Sequence, residues 1–169
     1  TNVNAQQFVA IVNPAAGGGK CGRRAEIELD RLRAAGMQVE SRLTSKPGDG
    51  TVLVRDAYAQ GCRNFIAVGG DGTAFEVLNG LFPEALDASS RVSLGFLPLG
   101  TGNSFLRDFT DKGSEYALQA MIESNHRKCD VIQLTHRDGV LHFINLMSLG
   151  FVAEVGALTN RRFKRFGQF

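Results

Sequence analysis

The chain has 169 residues, enough for one domain with a sizeable hydrophobic core. Hydrophobic residues make up 43% of it and charged residues 21%, which is an ordinary soluble globular composition. The formal net charge of +2 is too close to neutral to indicate a nucleic-acid partner, and no apolar run approaches the ~18 residues that would span a bilayer.

The first predicted strand, Phe8–Val12, runs into a glycine-rich turn. Asn13 either holds this turn or hydrogen-bonds a ligand, and Pro14 stiffens the segment that follows. The glycines end at Lys20, but the spacing of a GxxxxGK[ST] phosphate loop is absent, so we do not predict one. A phosphate contact and a solvated position in the first turn of a helix stay equally open for Lys20.

The next elements are a helix, a strand and a second helix. Alanine and leucine recur at helical spacing over Cys21–Ala35, which predicts the first helix. A weakly alternating strand follows over Met37–Thr44. Thr44 then stands at the carboxyl end of that strand, either as a ligand contact or simply as its last residue. A turn at residues 45–50 leads into a helix from about Thr51 to Gln60.

The central stretch is an apolar strand that runs straight into the sequence Gly69-Gly70-Asp71-Gly72-Thr73. We predict the strand over Phe65–Val68 and a helix over Ala74–Leu81. Amides at such a turn, opening onto a helix N-terminus, form an anion site. A carboxylate beside bound phosphates needs a cation between them, and Mg²⁺ is the usual one, so Asp71 is a candidate metal ligand. The alternative is a tight turn in which Asp71 caps the helix.

A third strand with the same organisation is predicted over Val92–Leu97, after a connecting segment at residues 83–91. Pro98 ends the strand because proline cannot donate a ladder hydrogen bond. Thr101 and Asn103, in the sequence Gly-Thr-Gly-Asn, then face the proposed site. Ligands of open α/β sheets bind at the carboxyl ends of the strands, so these three strand ends predict one shared nucleotide site.

The remaining predicted elements are helices and a hairpin. We predict helices over Phe105–Phe109, Tyr116–Ser124 and Phe151–Leu158, and strands over Lys128–Leu134 and Val140–Leu146. The Asp138-Gly139 dipeptide between the two strands is a strong hairpin signal. The three histidines are scattered and set no metal pattern.

The chain ends on Arg161–Phe169, where four cations alternate with three phenylalanines. This segment either lies on an anionic membrane surface or belongs to a helix and linker that dock on another part of the protein. We favour the second interpretation, because short basic stretches usually coat a solvated face.

The cysteines and the N-terminal sequence indicate the cellular compartment in which the protein is found. The three cysteines are odd in number and have no Cys-x-x-Cys spacing, which predicts free thiols rather than a disulfide framework or a zinc site. No signal peptide is visible at the N-terminus. We therefore expect a cytoplasmic protein whose membrane contact, if any, is peripheral.

Three motifs give the chain a specific resemblance. NPxxG at residues 13–17, GGDGT at 69–73 and GTGN at 100–103 resemble the catalytic domain of the diacylglycerol kinase family, which includes bacterial lipid kinases, sphingosine kinases and ceramide kinases. The resemblance extends from about Gln7 to Phe169. NAD kinases resemble GGDGT and phosphofructokinases carry a close variant, whereas the other two motifs favour the lipid-kinase branch.

The resemblance implies an ATP site and Mg²⁺. Asp71 is the implied catalytic residue, acting through Mg²⁺. Asp130 is an implied member of the metal and water network, although a strand-edge position explains it equally well. Ser104 stands where many members of the family have Asp. The implied ATP-binding residues are Asn13, Pro14, Ala15, Ala16, Gly17, Thr44, Gly69, Gly70, Asp71, Gly72, Thr73, Glu76, Gly100, Thr101 and Asn103.

The predicted fold class is α/β: a three-layer, Rossmann-like parallel sheet with flanking helices and a β-hairpin near the C-terminus. Residues 1–169 would form the nucleotide-binding domain of a lipid kinase. The resemblance implies a second, β-rich domain, absent from this chain, that supplies the general base, part of a metal site and much of the lipid pocket.

The implied reaction transfers the γ-phosphoryl group of ATP to the hydroxyl of a lipid, diacylglycerol or a sphingoid relative. The implied partners are a lipid substrate at a membrane surface and the missing C-terminal domain, and a homodimer stays open. The chain alone is expected to phosphorylate little or nothing. The alternatives are an NAD kinase-like enzyme and a non-catalytic nucleotide- or lipid-binding module.

Overall fold

The computed structural model of the protein describes residues 7–86, 91–103 and 112–144. The strands are β1 (Gln7–Val12), β2 (Gln38–Leu43), β3 (Asn64–Gly69), β4 (Ser93–Pro98), β5 (Ile132–His136) and β6 (Gly139–Phe143). The helices are α2 (Cys21–Ala34), α3 (Asp49–Ala59), α4 (Asp71–Leu81) and α5 (Gly113–Ile122), with a 3₁₀ turn at Glu84–Leu86. They are preceded by α1 (Ala16–Gly19), a single irregular turn in which Gly17 and Gly18 have left-handed backbone conformations.

Four parallel strands form the sheet in the order β2-β1-β3-β4. Val12 lies opposite Leu43 on one side and Val68 on the other, and Val68 lies opposite Leu97. The carboxyl ends of all four strands therefore lie at one level. The chain leaves β1 for β2, then returns across β1 to β3, so the switch point of the sheet lies between β1 and β3.

Helices cover both faces of this sheet, as the apolar strands predict. Alternate residues of each strand point to opposite faces, and both faces are buried in the central strands β1 and β3. On one face, Ala25, Leu29 and Leu32 of α2 and Leu118 of α5 pack with Ala10, Val12, Ile66, Val68 and Leu97. On the other, Val54 and Ala57 of α3 and Ala74, Val77 and Leu81 of α4 pack with Val9, Ile11, Phe65 and Ala67. The three-layer α/β prediction is confirmed.

A separate antiparallel hairpin, β5–β6, packs on the last turn of α4. The Asn79 Nδ2 atom donates to the His142 carbonyl oxygen at 2.8 Å, and the His142 amide donates to Asn79 Oδ1 at 2.9 Å. The His142 ring stacks on Phe82 with the ring centroids 4.2 Å apart. Asn79 thus pairs with both backbone hydrogen-bonding groups of His142, as a residue of a neighbouring strand would.

The hairpin was predicted with the wrong boundaries. The first strand begins at Ile132 instead of Lys128, so Asp130 precedes it and does not start it. The second strand already contains Gly139, which pairs with His136 across a two-residue turn. Gly139 has a φ of +141°, a conformation that suits glycine, and the dipeptide signal at this place is therefore correct.

Three helices begin earlier than predicted: α3 starts at Asp49, α4 at Asp71 and α5 at Gly113, and α5 ends at Ile122. Gly50, Gly72 and Gly113 indicate turns or breaks in the sequence, but each lies within the first turn of its helix. The predicted helices at 105–109 and 151–158, Ser104 and the basic segment 161–169 lie outside the described residues.

Two further expectations concern thiols and membranes. Cys21, Cys62 and Cys129 are all free thiols, as the sequence predicts. Among the residues that the structure describes, no helix combines the length and the apolar character that crossing a membrane requires.

Candidate nucleotide site

Three loops meet at the carboxyl end of the sheet, beside the switch point. The Asn13 amide donates to the Val68 carbonyl at 3.0 Å, which fixes the loop after β1 to β3. The Leu99 and Gly100 amides both donate to the Gly69 carbonyl, at 2.9 and 2.8 Å, which fixes the loop after β4 to the same strand. The glycine motifs predicted from sequence are therefore brought together by backbone hydrogen bonds.

The loops approach so closely that side chains are excluded at two glycines. A Cβ atom on Gly100 would lie 2.7 Å from the Gly70 amide nitrogen, and one on Gly17 would lie 2.6 Å from the Leu99 carbonyl oxygen. Gly17 also has a φ of +60°, in the left-handed region. Two motifs far apart in sequence thus touch through bare backbone.

Asn13 holds the turn that follows β1. Its Oδ1 atom accepts a hydrogen bond from the Ala15 amide at 3.1 Å, and its carbonyl accepts one from the Ala16 amide at 3.1 Å. This is an Asx turn, the first of the two roles that the sequence left open for Asn13. Lys20, after the turn, is exposed.

Asp71 is the first residue of α4, and the N-cap position belongs to Gly70. The interpretation of Asp71 as the helix cap is therefore wrong. A carboxylate in the first turn is stabilised by the helix dipole, and the amides at the same helix end favour an anion. Asp71 thus lies at the helix end that favours an anion, and a phosphate bound there would need a cation between it and the carboxylate.

A cavity opens beside Asp71 between the ends of β3 and β4. It is lined by Ala67, Gly69, Gly70, Asp71, Ala74, Phe96, Leu97, Pro98 and Asn103. Apolar strand residues form its wall, and Asp71 and Asn103 are the polar side chains that line it. The cavity has a volume of about 20 Å³, room for about one water molecule, so it marks where these polar groups converge and does not enclose a ligand.

Two buried polar atoms at this place have no hydrogen-bond partner within the described residues. They are Thr73 Oγ1, on a side chain only 5% exposed, and Asn103 Oδ1. The Nδ2 atom of Asn103 donates to the Gly100 carbonyl at 2.8 Å, and its backbone has a φ of +53°. An unsatisfied buried acceptor or hydroxyl costs about 1–3 kcal/mol, so these atoms are suited to a ligand that satisfies them.

Comparison with known proteins identifies the family. The model of the diacylglycerol kinase catalytic domain matches residues 7–134, which include all three glycine motifs. The chain belongs to the diacylglycerol kinase catalytic domain family. The resemblance carried by the NPxxG, GGDGT and GTGN motifs is thereby confirmed.

Individual members of the family show how far the similarity extends. A "Probable lipid kinase YegS-like" protein of Chromohalobacter salexigens is 38% identical over 138 residues, which are 81% of this chain and 42% of the relative. A diacylglycerol kinase of Staphylococcus aureus is 32% identical over 91% of this chain and 47% of the relative. The chain spans less than half the length of these relatives.

A solved structure from the same family has the same fold. The crystal structure of a diacylglycerol kinase from Bacillus anthracis is 29% identical and superimposes with a TM-score of 0.62. The superposition covers 77% of this chain and 44% of the other. The parallel sheet and its flanking helices are therefore those of a diacylglycerol kinase family domain.

Two of the predicted site residues lie on the edge of this arrangement. Thr44 is buried at the carboxyl end of β2, and its amide donates to the Val12 carbonyl at 2.9 Å. Glu76, in α4, is half-buried, and its carboxylate accepts hydrogen bonds from the amides of Gly48, the N-cap of α3, and Gly50, in its first turn. Contact of either side chain with a nucleotide stays a prediction.

Asp130 is not brought to the cavity. It is exposed, it precedes β5, and it is not among the residues that line the cavity beside Asp71. Within residues 7–86, 91–103 and 112–144, no group of three or more His, Cys, Asp or Glu side chains is placed to hold a metal ion. Asp71 is the acidic side chain among the described residues that line this cavity, and Mg²⁺ is commonly held by one or two carboxylates together with phosphates. A metal role for Asp130 stays a prediction.

Sequence reasoning missed Gly48 and Gly50 as functional neighbours of the site. They are the residues whose amides hold Glu76, and Gly50 is buried. Their signal in the sequence is the Gly48-Asp49-Gly50 run, which predicts a turn. Gly50 needs glycine because a Cβ atom there would lie 2.8 Å from Glu76 Oε2, whereas Gly48 needs it because of its φ of +90°.

Proposed function

We propose that this chain is the nucleotide-binding part of a kinase that transfers the γ-phosphoryl group of ATP to the hydroxyl of a lipid, diacylglycerol or a sphingoid-type relative. The observation that carries the proposal is the junction of Gly70 and Gly100 beside Asp71, at the switch point of the sheet. A nucleoside triphosphate and its metal are commonly bound by backbone amides, a helix N-terminus and a carboxylate, and this site has all three.

The site fits ATP and Mg²⁺ in its chemistry. Backbone amides near Gly17, Gly70, Gly72 and Gly100 would hold phosphates, and the first turn of α4 would stabilise their charge. Asp71 would hold Mg²⁺, which neutralises charge on the transferred phosphoryl group when bound. Thr73 Oγ1 and Asn103 Oδ1, which have no hydrogen-bond partner in the part of the chain that the structure describes, would orient the nucleotide together with Thr44 and Thr101.

Phosphoryl transfer needs little covalent chemistry from the protein, and catalysis is mainly positioning and charge stabilisation. In the proposed mechanism, this chain binds and orients ATP, and its closely packed glycine loops exclude water from the phosphates. The general base and the lipid pocket come from a further domain, so the chain alone would transfer little or no phosphate. Contact with the lipid would be peripheral, at a membrane surface.

The lipid as acceptor is supported by the relatives, which are named diacylglycerol kinase and lipid kinase. The family model matches residues 7–134, and the match to the Staphylococcus aureus diacylglycerol kinase covers 47% of that relative. The choice between diacylglycerol and a sphingoid base depends on residues that line the acceptor pocket. The nucleotide half of the proposal can be tested with this chain by itself.

Calorimetry with ATP and Mg²⁺, followed by competition with NAD, tests the proposal. We expect ATP·Mg²⁺ to bind and an excess of NAD to leave the measured affinity unchanged. Displacement of ATP by NAD would favour an NAD kinase-like enzyme. Absence of ATP binding would contradict the nucleotide site in this chain.

The acceptor is tested with labelled ATP and vesicles that contain either diacylglycerol or a sphingoid base. Robust transfer by the 169-residue chain alone would confirm a lipid kinase and refute the need for a further domain. Transfer to NAD and to neither lipid would refute the proposed acceptor class.

A further inference from the structure

We propose that Glu76 is a positioning residue, which fixes the loop carrying Thr44 relative to Asp71 without touching the nucleotide itself. The inference rests on the proposed function, because it concerns the geometry of the ATP site. It is carried by a continuous set of hydrogen bonds that leads from α4, through the start of α3, to the loop after β2.

The Glu76 carboxylate lies across the N-terminus of α3. Its Oε1 atom accepts a hydrogen bond from the Gly48 amide at 2.9 Å, and its Oε2 atom accepts one from the Gly50 amide at 3.0 Å. The hydroxyl of Thr51 donates to the Glu76 carbonyl at 2.9 Å. Amides in the first turn of a helix have no partner within the helix, and a negative charge there is favourable. Glu76 supplies both needs from the neighbouring helix.

The two helices pack so closely that an added Cβ atom would collide at two glycines. A Cβ atom on Gly50 would lie 2.8 Å from Glu76 Oε2, and one on Gly80 would lie 2.7 Å from the Val54 Cβ atom. Gly48, before the helix, has a φ of +90°. Glycine at each end of the contact lets α3 and α4 pack backbone against side chain, so the start of α3 is held at a fixed place on α4.

The same helix start holds the loop after β2. The Oδ2 atom of Asp49 accepts hydrogen bonds from the Ser45 amide at 2.8 Å, the Ser45 hydroxyl at 2.6 Å and the Lys46 amide at 3.0 Å. The hydroxyl and amide of Ser45 hold the pKa of Asp49 below its usual range. Ser45 directly follows Thr44, so the backbone beyond Thr44 is tied to Asp49.

Both ends of this set of contacts belong to the proposed site. Asp71 and Glu76 lie on the same helix, five positions apart, with Asp71 at its first residue. Both carboxylate oxygens of Glu76 are already engaged by amides of α3. A carboxylate so placed needs no further partner, and its effect on a nucleotide is transmitted through Thr44.

Hydrogen exchange in the nucleotide-free chain tests whether the loop is held through Glu76. In Glu76→Gln the amide NH₂ faces one of the two backbone donors, so we expect faster exchange at Gly48 and Gly50 and also at Ser45 and Lys46. Asp49→Asn should speed exchange at Ser45 and Lys46 while leaving the contact between α3 and α4 intact. The matched control is Glu115→Gln, which changes an exposed ion pair with Arg31. Unchanged exchange at Ser45 and Lys46 in Glu76→Gln would overturn the proposal.

A double-mutant cycle tests the consequence for ATP. Glu76→Gln should weaken ATP·Mg²⁺ binding about tenfold, the scale of one charge-assisted hydrogen bond. In the background of Thr44→Ala, the same substitution should have little further effect, because Glu76 acts through that residue. Glu115→Gln should leave the affinity unchanged.

The cycle separates this proposal from the proposed function. Additive effects of Glu76→Gln and Thr44→Ala would show that Glu76 acts independently of the loop and would overturn the positioning role. Failure of the unaltered chain to bind ATP would instead contradict the proposed function, and the exchange rates at Ser45 and Lys46 would then decide the placement of the loop.

Discussion

Gly70 and Gly100 meet with no room for a side chain between them: a Cβ atom on Gly100 would lie 2.7 Å from the Gly70 amide nitrogen. These residues belong to two different motifs, and their contact holds the end of β4 on the start of α4. The diacylglycerol kinase family domain thus depends at this place on two bare backbones in contact.

We therefore expect Gly100→Ala to destabilise the domain by about 1–3 kcal/mol, the usual cost of forcing an extra methyl group into packed structure. Urea unfolding measures the difference. The steric control is Gly72→Ala, because a Cβ atom on Gly72 meets no atom within 4 Å. Alanine also has the higher helix propensity, so this control should be neutral or slightly stabilising. Equal stability of the Gly100→Ala and unaltered chains would show that the loops separate easily.

Asn79 is predicted to hold the hairpin on α4, because its amide satisfies both the N–H and the carbonyl of His142. Asn79→Ala leaves these two backbone groups without their partner. We expect a loss of about 1–3 kcal/mol in the free energy of unfolding and faster hydrogen exchange at His142. Gln119→Ala, which removes an exposed amide of α5, is the matched control. Equal losses in the two variants would contradict a specific role for Asn79.

The stability of the domain should fall when the pH drops below about 6.5, the ordinary pKa of histidine. Burial lowers the pKa of His142, because the charged ring is poorly solvated between β6 and Phe82. Above the unfolded pKa both states are neutral and this contribution is complete. As the pH falls, the unfolded chain binds the proton first, so stability decreases until the folded pKa is reached.

Urea unfolding at several pH values checks this expectation. His142→Gln should flatten the part of the profile below pH ~6.5, while His126→Gln, at an exposed position, should not. A profile that is identical in the unaltered chain and in His142→Gln would contradict the account of this buried ring.

The sequence predicts the strands and the family well, because both depend on local patterns. Apolar runs such as Phe65–Val68 identify buried strands, and glycine motifs mark their ends. The start of α4 is harder to predict from the sequence. Glycine has low helix propensity, so Gly72 indicates a turn, yet it lies in the first turn of the helix, where packing of Ala74 and Val77 on the sheet decides the outcome.

Contacts between distant residues are the part that the sequence does not predict. Nothing in the local pattern indicates that Glu76 accepts hydrogen bonds from Gly48 and Gly50, or that Asn79 binds the backbone of β6. Asp130 shows the converse: a predicted strand start at Lys128 made it a sheet residue, but the observed strand begins at Ile132. Strand boundaries are weakly defined where both faces stay exposed, as they do over most of β5.

Asp71 is proposed to act on ATP through Mg²⁺, and calorimetry of Asp71→Asn with and without the metal tests this role most directly. With Mg²⁺, we expect the variant to bind ATP at least about tenfold more weakly, because a metal ligand is lost. With a chelator in place of Mg²⁺, the variant should bind ATP as well as the unaltered chain or better, because a negative charge beside the phosphates is removed. Asp56→Asn, an exposed charge on α3, controls for the change in net charge. Equal weakening with and without Mg²⁺ would contradict the claim.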